Sequence, residues 1–155
     1  MTISCPKALP VAEGEDMAKV ANLPAWTDDC SVAVREIDDQ HRVLFGLAAQ
    51  LAQAIGEGKS GRVLLPTFDK LAAYVGEHFQ TEERYMAQFS FPELDEHRAE
   101  HERFARKVGY FRRSLAIGKP GVAHEVLDFL THWLVHHIQD VDRRYSDCFR
   151  QHGLS

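Results

Sequence analysis

Two spacings in this chain could do chemistry. His78 and Glu82 are four residues apart, as are His97 and His101. On a helix each pair shares one face and offers two ligand atoms to one point. Either pair alone arises by chance. His41 and His137 add an imidazole each, both inside apolar stripes. A single histidine on an apolar face is ordinarily a hydrogen-bonded core residue. Five of them and a glutamate are not explained that way, because each unpaired polar group costs several kcal/mol to bury. Neutral imidazole is the commonest metal ligand, so the pattern points to metal binding.

The elements that must position these residues are helices. Ile37, His41, Leu44, Phe45, Ala48, Leu51, Ala52 and Ile55 recur at i, i+3, i+4, i+7, and Gly56 and Gly58 close a helix over about 38–55. Leu64, Phe68, Leu71, Ala72, Val75, His78, Phe79, Glu82 and Met86 mark a second over about 61–89, with Ser60 as its N-cap. Pro66 sits late for a first-turn proline, which implies a small kink or a later start. Leu94, His97, His101, Phe104, Val108, Phe111 and Leu115 mark a third over about 92–117, with Gly118 as its C-cap glycine. Val126, Leu127, Leu130, Trp133, Leu134, His137, Ile138 and Val141 mark a fourth that begins near Pro120. The tail beyond Arg144 reads as a short helix or a frayed end. No strand-like alternation competes. The expected fold is all-α, an up-down-up-down four-helix bundle over 26–155. Residues 1–25, with Pro6, Pro10 and Pro24, form an N-terminal extension, with at most a turn of helix near 16–21.

That topology brings the unusual residues together. His41 is near the start of the first helix, and His78 and Glu82 are in the second half of the second. His97 and His101 are near the start of the third, and His137 is near the end of the fourth. In an alternating bundle these four places are one end of the molecule. At ~100° per residue, His41, Glu82 and His137 lie ~20° from their stripe centres and His78 ~60°. The expected occupant is a dinuclear metal centre. The fourth helix leaves a choice open. In a straight helix Asp140 lies ~80° off the stripe, and both His136 and Asp142 lie ~120° off. Spacing slightly favours Asp140, and Asp142 reaches the centre only if the helix distorts or ends there.

Composition narrows the class. The chain has 155 residues with 45% hydrophobic content and a net charge of −5, which exclude disorder and a basic nucleic-acid binder. Cys5, Cys30 and Cys148 are odd in number and lack metal-type spacing, so no disulfide framework is expected and a reducing compartment is the default. The first residues carry no apolar run of signal-peptide type, and no stretch approaches a membrane span. These readings place a monomer in the cytoplasm.

Trp26 followed by Ile37-Asp38-Asp39-Gln40-His41 resembles the opening motif of the hemerythrin family, of the bacterial single-domain kind. His78-Phe79-Gln80-Thr81-Glu82-Glu83 is similar to its second motif. Phe91-Pro92 with His97 and His101, and Trp133 to Ile138 with Asp142, are similar to the third and fourth. The resemblance implies two irons held by His41, His78, Glu82, His97, His101, His137 and Asp142. It also implies bridging by an oxo or hydroxo group and by Glu82 and Asp142, and selects Asp142 over Asp140. It leaves His136 beside His137 unexplained.

Such a set leaves about one of ~12 octahedral positions open, on one iron. The resemblance then implies O2 as ligand, with two electrons passed to it on binding and returned on release. Five neutral imidazoles against two carboxylates favour binding over the oxidative chemistry of carboxylate-rich di-iron bundles. Trp133, Leu134, Ile138 and Phe79 are expected to wall a dry O2 pocket. The expected function is O2 storage, delivery or sensing, not enzymatic, alongside an O2-consuming enzyme or a reductant. The alternatives are a di-iron redox enzyme acting on peroxide or nitric oxide, or iron storage. His124, His132, His136 and His152 are assigned to the surface.

Overall fold

The computed structural model describes residues 23–155. The short helical turn expected near 16–21 lies outside them. Helix α1 spans Arg35–Gly56, α2 Leu65–Gln88, α3 Leu94–Ala116 and α4 Val122–His136. A π-helical turn over His137–Asp142 leads into α5, Arg143–Gln151. Single 3-10 turns occupy Asp28–Cys30 and Gly61–Leu64. Among the described residues there is no strand. Sequence neighbours pack against one another and α1 closes against α4, which is the expected four-helix bundle.

The ends follow local chemistry. Past α1, Gly58 takes φ +81°, its N–H bonds Ile55 O, and Lys59 N–H bonds Ala54 O. Gly118 repeats the arrangement after α3, with φ +69° and bonds to Leu115 O and from Lys119 N–H to Ser114 O. Both are glycine-closed termini that satisfy free carbonyls. The second helix departs from expectation. Residues 61–64 tighten into a 3-10 turn, so the α-helix starts later and Pro66 falls in its first turn. Ser60 makes no side-chain capping bond. Beyond Arg144 the chain stays helical as far as Gln151.

The core has two parts. The larger runs the length of the bundle through Leu44, Leu51, Phe68, Phe111, Leu115 and Leu134. The smaller sits at the other side of the polar end and joins Val32, Val34, Ile37, Met86, Phe91, Tyr145 and Phe149. Asp38 fastens the approach to α1, accepting from Ser31 Oγ at 2.6 Å and Val32 N–H at 2.8 Å. Between them Ala33 holds φ +57°, a strained conformation that those two bonds over-determine. Among the described residues no helix is long and apolar enough to cross a membrane.

Candidate metal centre

Seven side chains meet between the two core parts. His41 comes from α1, His78 and Glu82 from α2, His97 and His101 from α3, and His137 and Asp142 from the π-helical turn. All seven are at most 3% exposed, which no ordinary set of ionisable residues would tolerate. The π-helical turn brings Asp142, not Asp140, into the cluster. Its i→i+5 winding lays residue i+5 over residue i, so Asp142 comes round above His137. Asp140, which straight-helix spacing favoured, faces out and pairs with His136 Nδ1 at 2.9 Å. That exposed pair accounts for the extra histidine.

The ligand atoms fall into two groups. His97, His101 and His137 form one, and His41 and His78 the other. Glu82 presents Oε2 to the first, 3.1 Å from His101 Nε2, and Oε1 to the second, 3.3 Å from His78 Nε2. Asp142 does the same, with Oδ1 3.1 Å from His137 Nε2 and Oδ2 3.1 Å from His41 Nε2. Each carboxylate therefore spans both groups.

These atoms fit metal ions better than they fit each other. Nε2 of His97, His101 and His137, Oε2 of Glu82 and both Asp142 oxygens are buried without a hydrogen bond. Each such orphan costs roughly 1–3 kcal/mol. Nε2 of His41 and His78 face one another at 3.1 Å. Ligands at about 2.1 Å from a six-coordinate ion and at right angles lie about 3.0 Å apart. The observed spacings are of that size.

The surroundings hold the imidazoles. His78 Nδ1–H donates to Gln40 Oε1 at 2.8 Å, and His101 Nδ1–H donates to Glu83 Oε1 at 2.8 Å. Both bonds fix the tautomer that leaves Nε2 free to ligate. Phe79 stacks on His101 at 3.6 Å and 6°, and Trp133 on His137 at 4.3 Å and 15°. Tyr145, fully buried in the second core part, donates its hydroxyl to Glu82 Oε1 at 2.5 Å.

The electrostatics are those of a charged interior. Burial lowers the affinity of His97 for a proton, but Asp142 and Glu82 more than reverse this, raising its pKa to about 10. His78 moves upward against burial because of Glu82. Burial works to raise Glu82, yet the surrounding imidazoles hold it well below the usual carboxylate range. Asp142 is also held low, by His137 and His41 against burial and Glu82. Tyr145 is pushed well up by burial, then by Asp142 and Glu82.

Four pocket residues were expected. Leu134 and Ile138 are buried in the larger core part, and Phe79 and Trp133 cover imidazoles as described. His132, His136 and His152 are exposed and His124 half-buried. Sequence reasoning gave no role to Gln40, Glu83 or Tyr145. The first two sit beside ligands at polar positions, which is a usable signal. Tyr145 follows the π-helical turn, where straight-helix phase is lost.

The family model described as Hemerythrin HHE cation binding domain matches residues 32–148. The chain belongs to the hemerythrin family. It is 30% identical over 130 residues to a bacteriohemerythrin of Pseudomonas aeruginosa, covering 84% of this chain and 83% of the relative. A bacteriohemerythrin of Clostridium acetobutylicum is 29% identical, covering 79% and 98%. The myohemerythrin of Riftia pachyptila is 31% identical, covering 78% and 89%. A solved wild-type hemerythrin superposes with a TM-score of 0.74 at 28% identity, covering 82% of this chain and 98% of the other.

Proposed function

We propose that this hemerythrin binds O2 reversibly at a non-haem di-iron centre held by His41, His78, Glu82, His97, His101, His137 and Asp142. The observation that carries the reading is the division of ligands. Two carboxylates each reach both groups, but one group has three imidazoles and the other two. With equal bridging, the two-histidine half is one ligand short, and that is where O2 would find a position. When bound, the two irons supply the two electrons that O2 accepts on binding and gives back on release.

The chain's own residues do the rest. The bonds from His78 to Gln40 and from His101 to Glu83 present Nε2 in fixed orientation. Phe79, Trp133, Leu134 and Ile138 exclude water, which slows loss of the reduced state. The role is storage, delivery or sensing of O2 rather than turnover of peroxide or nitric oxide, or storage of iron. A reductant or an O2-consuming enzyme is the partner class. The proposed compartment is the reducing cytoplasm, which suits Cys30 and Cys148 as free thiols.

The test is metal analysis with visible spectroscopy. Protein reduced and loaded with Fe2+ should hold two irons per chain. A visible band should appear in air, vanish under argon and return over repeated cycles. One-way conversion to an oxidised form without that band overturns O2 carriage in favour of redox turnover. Fewer than two irons overturns the dinuclear reading.

A further inference from the structure

The contacts behind the ligands differ between the two halves at His101, His78, His41 and Glu82. In the three-histidine half, the His101 imidazole donates to Glu83, an anion, which makes it a stronger electron donor at Nε2. In the two-histidine half, His78 donates only to the neutral amide of Gln40. His41 Nδ1 is buried with no acceptor at all. Tyr145 adds to this imbalance. A phenol facing a carboxylate can only donate, and its proton goes to Glu82 Oε1, the oxygen on the His41/His78 side. The other spanning carboxylate, Asp142, receives no hydrogen bond on either oxygen. A hydrogen bond to a carboxylate oxygen draws electron density from it and weakens its donation to whatever it ligates.

We propose that Tyr145 acts through Glu82 to keep the two-histidine half electron-poor, and so holds the reduced protein against one-electron loss to O2. In that loss one electron leaves the metal pair and O2 departs as superoxide. The inference rests on the di-iron reading above. Tyr145 is a positioning residue. It touches no reacting atom, and the surrounding Val32, Val34, Ile37, Met86 and Phe149 hold it rigidly against Glu82.

The test compares wild type with Tyr145→Phe, which deletes one oxygen and keeps the ring packed on Phe149 at 4.3 Å. Both are loaded with Fe2+, and iron content, midpoint potential and autoxidation rate are measured. With two irons retained, Tyr145→Phe should shift the one-electron equilibrium about tenfold toward the oxidised state, a fall of ~59 mV. Its autoxidation should quicken correspondingly. A merely structural role would leave the potential in place. Two irons with an unchanged or raised potential overturn the proposal and leave the di-iron reading standing. A wild type that does not hold two irons overturns both. If Tyr145→Phe loses its iron, 3-fluorotyrosine at position 145 decides. It keeps the hydroxyl as a stronger donor, so the potential must rise, and failure to rise overturns the proposal.

Discussion

The two halves of the centre share both carboxylates and little else. The three-histidine half is braced. Phe79 and Trp133 lie flat on two of its rings, and Glu83 stands behind a third contact at His101. The two-histidine half is loosely backed. Trp26 tilts 6.3 Å from His41, the His41 Nδ1 has no partner, and Gln40 alone fixes His78. The difference teaches that a single site can divide labour. On the proposed reading one half stays fully ligated, while the other keeps a position free for O2 and gives up electrons reluctantly.

Removing ligands tests that division most severely. Glu82→Ala removes one of the two shared carboxylates and should weaken iron binding in both halves. His78→Ala should empty only the two-histidine half, leaving about half the iron, because three imidazoles and two carboxylates remain on the other side. Iron analysis after gel filtration separates the outcomes. Equal iron loss in both variants would break the comparison.

Stripping the metal exposes the charge balance. In the folded stripped protein His97 keeps its proton up to about 10, against an ordinary 6.5. Between these values the folded state binds more protons than the unfolded state. Stability should therefore be full below about 6.5 and fall as pH rises toward about 10. Denaturant midpoints across that window, with iron-loaded protein as control, measure it. At acid pH the sign reverses. Glu82 and Asp142 are held low, so their contribution is present above the ordinary carboxylate range and disappears as pH falls through and below it.

Smaller effects sharpen the contrast. Leu134→Ala should cost about 2–5 kcal/mol in unfolding free energy by leaving a cavity. Its autoxidation should also quicken, and an unchanged rate would remove Leu134 from the wall. Glu83→Gln should weaken iron in the three-histidine half about 10–100-fold in a competitive chelator titration. Gln40→Leu should weaken the other half. The smallest change belongs to the outside. His136→Gln breaks only an exposed pair with Asp140, and thermal melts should move by no more than about 0.5 kcal/mol with full iron content.

The bundle was legible because its stripes are long and periodic. Six of the seven clustered side chains were legible because they interrupt those stripes at one end. His41, His78, Glu82, His97, His101 and His137 all sit where a straight helix puts them. Asp142 does not, and only the family resemblance picked it over Asp140. Ser60 misled because a 3-10 turn, whose local sequence gives little warning, displaced the helix start. Tyr145 was invisible for the same reason as Asp142: phase counted along α4 does not survive the π-helical turn.

That turn has a consequence for the length of the chain itself. It takes up one residue more than an α-helical path would need, and everything after it is dialled by that surplus. Deleting a single solvent-facing residue between 137 and 142, such as Asp140, leaves every ligand type in the sequence. A plain α-helical turn would then put the aspartate four positions after His137, on the same face, so Asp142, Tyr145 and Phe149 should keep their alignment. The turn is therefore a reservoir of one residue: deletion there should spare the centre, whereas inserting a second residue should swing Asp142 away from His137 and weaken the centre as surely as losing Glu82.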